Sequence, residues 1–88
     1  MKQKKLENID LKHLESYAKE MLDIVSKNVI KYRKDRGLSQ KQLAIAIGFK
    51  SAAYLGKSEL RTNNQHFNIS QIAKISKVLN VEINSFFK

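Results

Sequence analysis

The stretch LSQKQLAIAIGFKSAAYLGKSE (residues 38–59) contains two short helical patterns on either side of Gly48. Ser39 followed by Gln42 matches a capping box, a combination that marks the start of a helix. Apolar residues then follow at helical spacing as far as Gly48. Ser51 is a suitable N-cap for a second helix, which extends to about Leu60. The sequence therefore predicts two short helices that meet at a glycine-containing turn.

This spacing is typical of a helix-turn-helix arrangement, in which the second helix crosses the first and leaves its outer face free. Small side chains allow the close crossing and a close approach to a DNA groove. We expect Ala44 and Gly56 to lie at the crossing and Leu55 to point inward. The outer face would then present four residues: Ala52, Ala53, Tyr54 and Lys57.

Helical patterns also cover the rest of the chain. From residue 10 to residue 36, apolar residues recur every three or four positions, which predicts one long amphipathic helix ending at Gly37. A break near residues 23–27 is left open. Asn68 with Gln71 predicts a further helix start, and Asn80 a left-handed helix end. A last turn over residues 82–87 would close the core with Ile83, Phe86 and Phe87, so the expected fold class is all-α.

The charge balance is consistent with either a polyanionic partner or a merely basic, solvated surface. The chain carries a net charge of +9, and residues 24–62 hold nine basic and two acidic residues. Such a field attracts DNA and speeds its association. The sequence contains no cysteine, no nucleophile motif and no phosphate loop, and the two histidines lack metal-ligand spacing. We therefore expect a cytoplasmic protein that is not an enzyme, binds no cofactor or metal and does not enter a membrane.

Residues 25–87 resemble the phage repressor/Cro-type helix-turn-helix family, also called the xenobiotic-response-element class. The resemblance rests on VSKNVIKYRKDRGLSQKQLA, Gly48, SAAYLGKSE and FNISQIAKISKVLNVEINSFF, in that order. It implies a five-helix repressor-like domain over residues 25–88, preceded by a helical extension over residues 1–24. It also implies a sequence-specific DNA-binding transcriptional regulator, such as a repressor or autoregulator, that inserts its third helix into the major groove.

The resemblance assigns DNA contacts to three parts of the chain. Gln40 corresponds to a glutamine that binds a phosphate, and a helix N-terminus beside it favours anions. The start of the third helix contacts backbone and bases, and the loop after it contacts phosphates. Residues matching those two parts are Lys50, Ser51, Ala52, Ala53, Tyr54, Lys57, Arg61, Asn63 and Asn64. The family also implies a structural ion pair, which here joins Arg33 and Glu59.

Three departures from the family pattern affect the alignment of the third helix. The turn after Gly48 is one residue longer than usual if Ser51 is the N-cap, and the loop over residues 61–67 is about two residues longer. Ser58 occupies a position that is normally apolar. We therefore expect Leu55 and Leu60 to hold the third helix to the core.

The expected partners are double-stranded DNA and a second copy of the chain, because one module contacts only a few base pairs. The C-terminal apolar residues and the segment over residues 6–22 are both candidate dimer surfaces. Packing of that segment on its own domain is the alternative. A different function class remains open: an antitoxin or other protein-interaction module whose N-terminal helix binds a partner protein.

Overall fold

The computed structural model describes residues 10–88, and every regular element in this part of the chain is helical. The four α-helices are α1 (Leu11–Asp35), α2 (Gln40–Ala46), α3 (Ala52–Leu60) and α4 (Ile69–Leu79). The all-α prediction is confirmed. The predicted fifth helix is instead a 3-10 helix (Ile83–Phe87). Its five residues are too few to establish an α-helical ladder, and the Ser85 amide donates to the Glu82 carbonyl at 2.9 Å, an i to i+3 bond.

The predicted helix starts are all present. Ser39 Oγ accepts from the Gln42 amide at 3.0 Å, and Gln42 Oε1 accepts from the Ser39 amide at 2.8 Å. Asn68 and Gln71 form the same reciprocal pair at the start of α4. Ser51 accepts from the Tyr54 amide at 3.2 Å and so caps α3. These local bonds fix where each helix begins, because they satisfy amides that have no partner within the helix.

The predicted helix ends are also present. Gly37 and Gly48 have φ values of +71° and +81°, and Asn80 has φ +55°. At the end of α1 the Leu38 amide donates to the Arg33 carbonyl at 3.1 Å, which closes the turn that a left-handed residue allows. At the end of α2 the Phe49 amide donates to the Ala44 carbonyl at 2.8 Å across Gly48, so the helix ends at Ala46 and the chain turns toward α3.

Helix α1 is continuous over 25 residues, about 37 Å, and the break left open near residues 23–27 is absent. The predicted domain boundary after residue 24 lies inside this helix. Residues 11–20 are all exposed, whereas Val25 and Val29 are buried in the core. The first nine residues of the predicted extension lie outside the described part of the chain.

The core lies where the second half of α1, α2, α3, α4 and the C-terminal 3-10 helix meet. Its fully or nearly fully buried apolar residues are Val25, Val29, Leu43, Ala44, Ile47, Leu55, Phe67, Ile72, Ile75, Leu79 and Phe86. Two sequence expectations are wrong here. Leu60 is 72% exposed and does not hold α3, and Ile83 is exposed, so the 3-10 helix contributes chiefly Phe86.

Candidate nucleic-acid interface

The two faces of α3 differ sharply in what they contact. Leu55, Ser58 and Glu59 point inward and are buried, since residues three and four apart share one face of a helix. Ala53, Tyr54 and Lys57 are exposed on the other side. Ser51 is the N-cap of α3, Leu55 points inward and Lys57 points outward. This is the alignment expected if the turn after Gly48 is one residue longer than in the family.

The inward face of α3 is tied to α1 and α2 by a charged network. Arg33 Nε donates to Glu59 Oε2 at 2.7 Å, and its Nη2 donates to Glu59 Oε1 at 3.1 Å. Arg33 Nη1 also donates to the Leu38 carbonyl at 2.9 Å. Arg33 and Glu59 are only 7% and 4% exposed. The fork-shaped contact fixes the rotation of α3 about its axis, because both oxygens of the carboxylate are engaged.

Gln40 completes this network at the first residue of α2. Its Nε2 donates to Glu59 Oε1 at 2.9 Å, and the side chain is half-buried. A methyl group added at Gly56 would lie 3.3 Å from the Gln40 amide. The absence of a side chain at Gly56 therefore leaves room for the Gln40 side chain of α2. Ala44, the other residue expected at the crossing of α2 and α3, is buried in the core.

A second polar network surrounds Ser58, at a position where the family normally has an apolar residue. Gln65 Nε2 donates to Ser58 Oγ at 2.9 Å and to the Tyr54 carbonyl at 2.9 Å. Ser26 Oγ of α1 donates to the Ser58 carbonyl at 2.8 Å. Ser58 and Ser26 are both almost fully buried. Gln65 was not predicted from the sequence, where its only signal is the extra length of the loop that contains it.

Replacement of Gln65 by alanine is expected to lower the free energy of unfolding by about 1–3 kcal/mol, because the buried Ser58 hydroxyl loses its donor. Urea denaturation followed by circular dichroism measures this change. Ser58→Ala removes the group that is left unsatisfied, so the double variant should be less destabilised than the sum of the two single variants. Strict additivity would contradict the network.

The residues expected to contact DNA at the start of α3 lie close together on the surface. Lys50, Ser51, Ala53, Tyr54 and Lys57 are exposed, and Ala52 is half-buried. The Tyr54 ring packs edge-on against Phe49 at 5.1 Å between centroids, and Phe49 stacks on the buried Phe67. This stack holds Tyr54 beside the start of α3 while leaving nearly half of its surface accessible.

The loop after α3 places its three candidate residues differently. Asn63 and Asn64 are exposed, both with positive φ. Arg61 is half-buried: its Nε donates to Asp23 Oδ1 at 2.8 Å, and its Nη1 donates to the carbonyls of Asn64 and Gln65. Arg61 therefore ties the loop to α1 and holds it in shape.

Neither a metal-binding cluster nor a membrane-spanning helix is found in the described part of the chain. Within residues 10–88, no three histidine, aspartate or glutamate side chains cluster in a way that could hold a metal ion. None of the helices α1–α4 is long and apolar enough to cross a bilayer.

Comparison with known proteins gives one result that bears on this geometry. A family model described as Helix-turn-helix matches residues 29–86, a range that begins in the second half of α1 and ends in the C-terminal 3-10 helix. The searches of curated proteins and of solved structures found no match. The matched range includes α2, the turn at Gly48, α3 and α4, and it covers most of the chain. The chain therefore belongs to the Cro/repressor-type helix-turn-helix family.

Proposed function

We propose that the protein is a sequence-specific DNA-binding transcriptional regulator, a repressor or autoregulator, that inserts α3 into the major groove. One observation supports this most strongly. The outer face of α3 and the turn before it present two lysines, small side chains and the ring of Tyr54, while the inner face is fixed by Leu55 and by the Arg33–Glu59 pair. A helix held in this way can approach base edges closely without losing its orientation.

The dimensions and charge of this face suit a duplex. A major groove about 12 Å wide admits a single α-helix, and small residues such as Ala53 let the backbone of that helix enter deeply. Lys50 precedes and Lys57 follows the exposed Ala53 in the sequence, both lysines are exposed, and both can reach phosphates or guanine. The surrounding residues 24–62 carry a net charge of +7, which supplies the long-range attraction.

The contacts outside α3 divide into two groups. Asn63 and Asn64 are exposed and can donate to phosphates from the loop. Gln40 is proposed as a phosphate contact at the start of α2 through the amide hydrogen that Glu59 does not engage. Arg61 is proposed to act indirectly, by holding the shape of the loop whose other residues contact phosphates. Its own guanidinium already bonds Asp23 and two backbone carbonyls.

DNA binding by the wild-type protein and by a Lys50→Ala/Lys57→Ala variant, measured across a salt series by fluorescence anisotropy, tests the proposal. Each phosphate contact contributes about 0.9 to the slope of log K against log salt. We expect the variant to lower this slope by about 2 and to weaken binding about tenfold or more. Neither lysine has a partner in the core, so folding should be unaffected.

Lys12→Ala/Lys27→Ala is the matched control, since it removes the same charge from exposed positions on α1. Its slope of log K against log salt should differ from the wild-type slope by no more than about 0.45, the equivalent of half a phosphate contact. If both double variants weaken binding equally, the effect belongs to net charge alone and the assignment of the α3 face fails. Selection of the operator would follow a positive result.

A second candidate function is supported by the exposed first half of α1. Residues 11–20 have no cover within the described domain, as expected for an antitoxin-type or other protein-interaction module that binds a partner protein through this helix. If DNA affinity changes neither with salt concentration nor with the substitutions at Lys50 and Lys57, the protein-interaction function is favoured.

A further inference from the structure

The outer face of α3 presents aliphatic groups beside its one lysine. Successive residues of an α-helix are about 100° apart, so Ala53, Lys57 and Leu60 fall within about 60° of one another around the axis. All three are exposed, and Leu60, at 72%, is the most exposed large apolar side chain of residues 10–88. We call these three residues the outer stripe of α3. Leu60 therefore lies on the face that is proposed to enter the groove, not in the core.

Helix α3 lacks the side chains that usually discriminate between bases. Arginine, asparagine and glutamine read base edges through paired hydrogen bonds, and none of them occurs among the nine residues of α3. Those that reach α3 from other elements are engaged within the protein. Arg33 and Gln40 bond Glu59, and Gln65 bonds Ser58. Hydrogen-bonded readout by α3 is therefore confined to one exposed lysine and one exposed tyrosine.

Thymine offers a contact that needs no hydrogen bond. Its C5-methyl group projects into the major groove, and aliphatic side chains pack on it. Such packing removes apolar surface from water on both partners, so it favours the complex. The nine residues of α3 extend over about 13 Å, close to the groove width of about 12 Å. The whole outer stripe, with Leu60 at its end, therefore fits within the groove.

Apolar surface continues at the start of α3. A recess of about 500 Å³ lies between α2 and the first turn of α3, and Ile45 on its α2 side is 68% exposed. Its lining includes four apolar residues and two lysines, which are Ala44, Ile45, Phe49, Ala52, Lys41 and Lys50. Lysines thus accompany the aliphatic surface at the recess and on the outer stripe. This combination suits a surface that packs on base methyl groups and attracts the phosphates beside them.

We propose that α3 distinguishes its operator by the C5-methyl groups of thymines, and that Leu60 is the residue that contacts them. Ala53, on the same stripe, lets the helix backbone approach closely enough for this contact. The inference rests on the proposed insertion of α3 into the major groove. It makes Leu60 a specificity-determining residue whose effect is on binding, because an exposed side chain contributes little to the folded state.

Replacement of thymine by uracil tests the proposal directly, because uracil lacks only the methyl group and keeps the same base pairing. The wild-type protein first selects an operator from a random-sequence duplex library. Each thymine of that operator is then replaced in turn by uracil, and affinity is measured by fluorescence anisotropy. We expect affinity to fall about fourfold for each contacted methyl group that is removed. Thymines that α3 does not contact should be insensitive to the change.

Leu60→Ala tests which residue makes the contact. The variant should bind the thymine operator more weakly and should no longer respond to uracil at the sensitive positions, since the losses from two partners in contact are not additive. Its salt slope and its affinity for an unselected duplex should match the wild type, because no charge is changed. Leu14→Ala makes the same substitution at an exposed leucine of α1 and should retain both operator affinity and uracil sensitivity.

Three results would contradict the proposal in different ways. Operator binding that no uracil substitution weakens would overturn methyl recognition and leave the proposed function standing. Uracil sensitivity that Leu60→Ala retains in full would overturn the assignment to Leu60. A library that yields no preferred sequence would overturn the sequence-specific function itself, and with it this inference.

Discussion

Replacement of Glu59 by alanine is expected to lower the free energy of unfolding by about 3–5 kcal/mol. Glu59 is the partner of Arg33 Nε and Nη2 and of Gln40, and it is almost completely buried. Without it, Arg33 keeps only the Leu38 carbonyl as an acceptor while its charge remains in the interior. For a small domain stable by about 5–15 kcal/mol, this is a large fraction of the total.

Urea denaturation of the wild type, Glu59→Ala, Arg33→Met/Glu59→Leu and the control Glu82→Ala measures this effect. Arg33→Met/Glu59→Leu removes both charges and should recover at least half of the loss, because no unpaired ion is left buried. Glu82→Ala, at an exposed position, is the control for a glutamate substitution and should lie within about 0.5 kcal/mol of wild type. A cost below about 1 kcal/mol for Glu59→Ala would place the pair among ordinary surface ion pairs and contradict the burial described here.

Leu55→Ala is expected to cost about 2–5 kcal/mol. Leu55 is completely buried and is the only large apolar residue on the inward face of α3. Its truncation leaves a cavity between α3 and the core, and the polar network at Ser58 and the ion pair at Glu59 become the remaining supports of the helix. We also expect DNA affinity to fall at temperatures where the variant is still folded, because α3 is held less firmly.

Leu60→Ala is a close control, since it makes the same chemical change five residues later on the same helix. Leu60 is exposed, so the expected cost is within about 0.5 kcal/mol. Thermal unfolding should separate the two variants clearly, because each kcal/mol moves the midpoint of a domain of this size by about 4–8 °C. Similar midpoints for the two variants would show that Leu55 does not hold α3.

Short-range signals in the sequence were enough to place the helices. The capping residues at Ser39, Ser51 and Asn68 and the left-handed residues at Gly37, Gly48 and Asn80 act through bonds within a few residues. Such bonds depend on local spacing alone, so the sequence displays them directly.

The error at Leu60 could have been avoided by applying helical geometry more strictly. Residues in an α-helix are separated by about 100°, so Leu60 lies about 140° around the axis from Leu55. Ser58 and Glu59, three and four residues after Leu55, lie on the buried face instead. Hydrophobicity suggested Leu60, whereas periodicity indicates the two polar residues.

The long-range polar contacts could not be predicted from the sequence. Gln65 reaches Ser58 from a loop with residues in the left-handed region, and Arg61 reaches Asp23 across 38 positions of the chain. Nothing local distinguishes these side chains from solvent-exposed ones in a polar loop. Their partners are determined by how α1, α3 and the loop pack together. For the same reason, the sequence alone did not determine what packs against the first half of α1.

The uneven charge along the chain has a consequence for the approach to DNA. Residues 24–88 carry a net charge of +9, whereas the first 23 residues hold five basic and five acidic residues and are neutral overall. The positive charge of the molecule is therefore off-centre, and a strongly negative duplex exerts a torque on it before any contact forms. The positive part would turn toward the duplex and the first half of α1 away from it. At physiological ionic strength this alignment operates only within about 8 Å of the surface, and it should extend further as salt is lowered. Diffusional encounters would then favour the orientation in which α3 leads and the Leu11 end of α1 remains accessible from solvent.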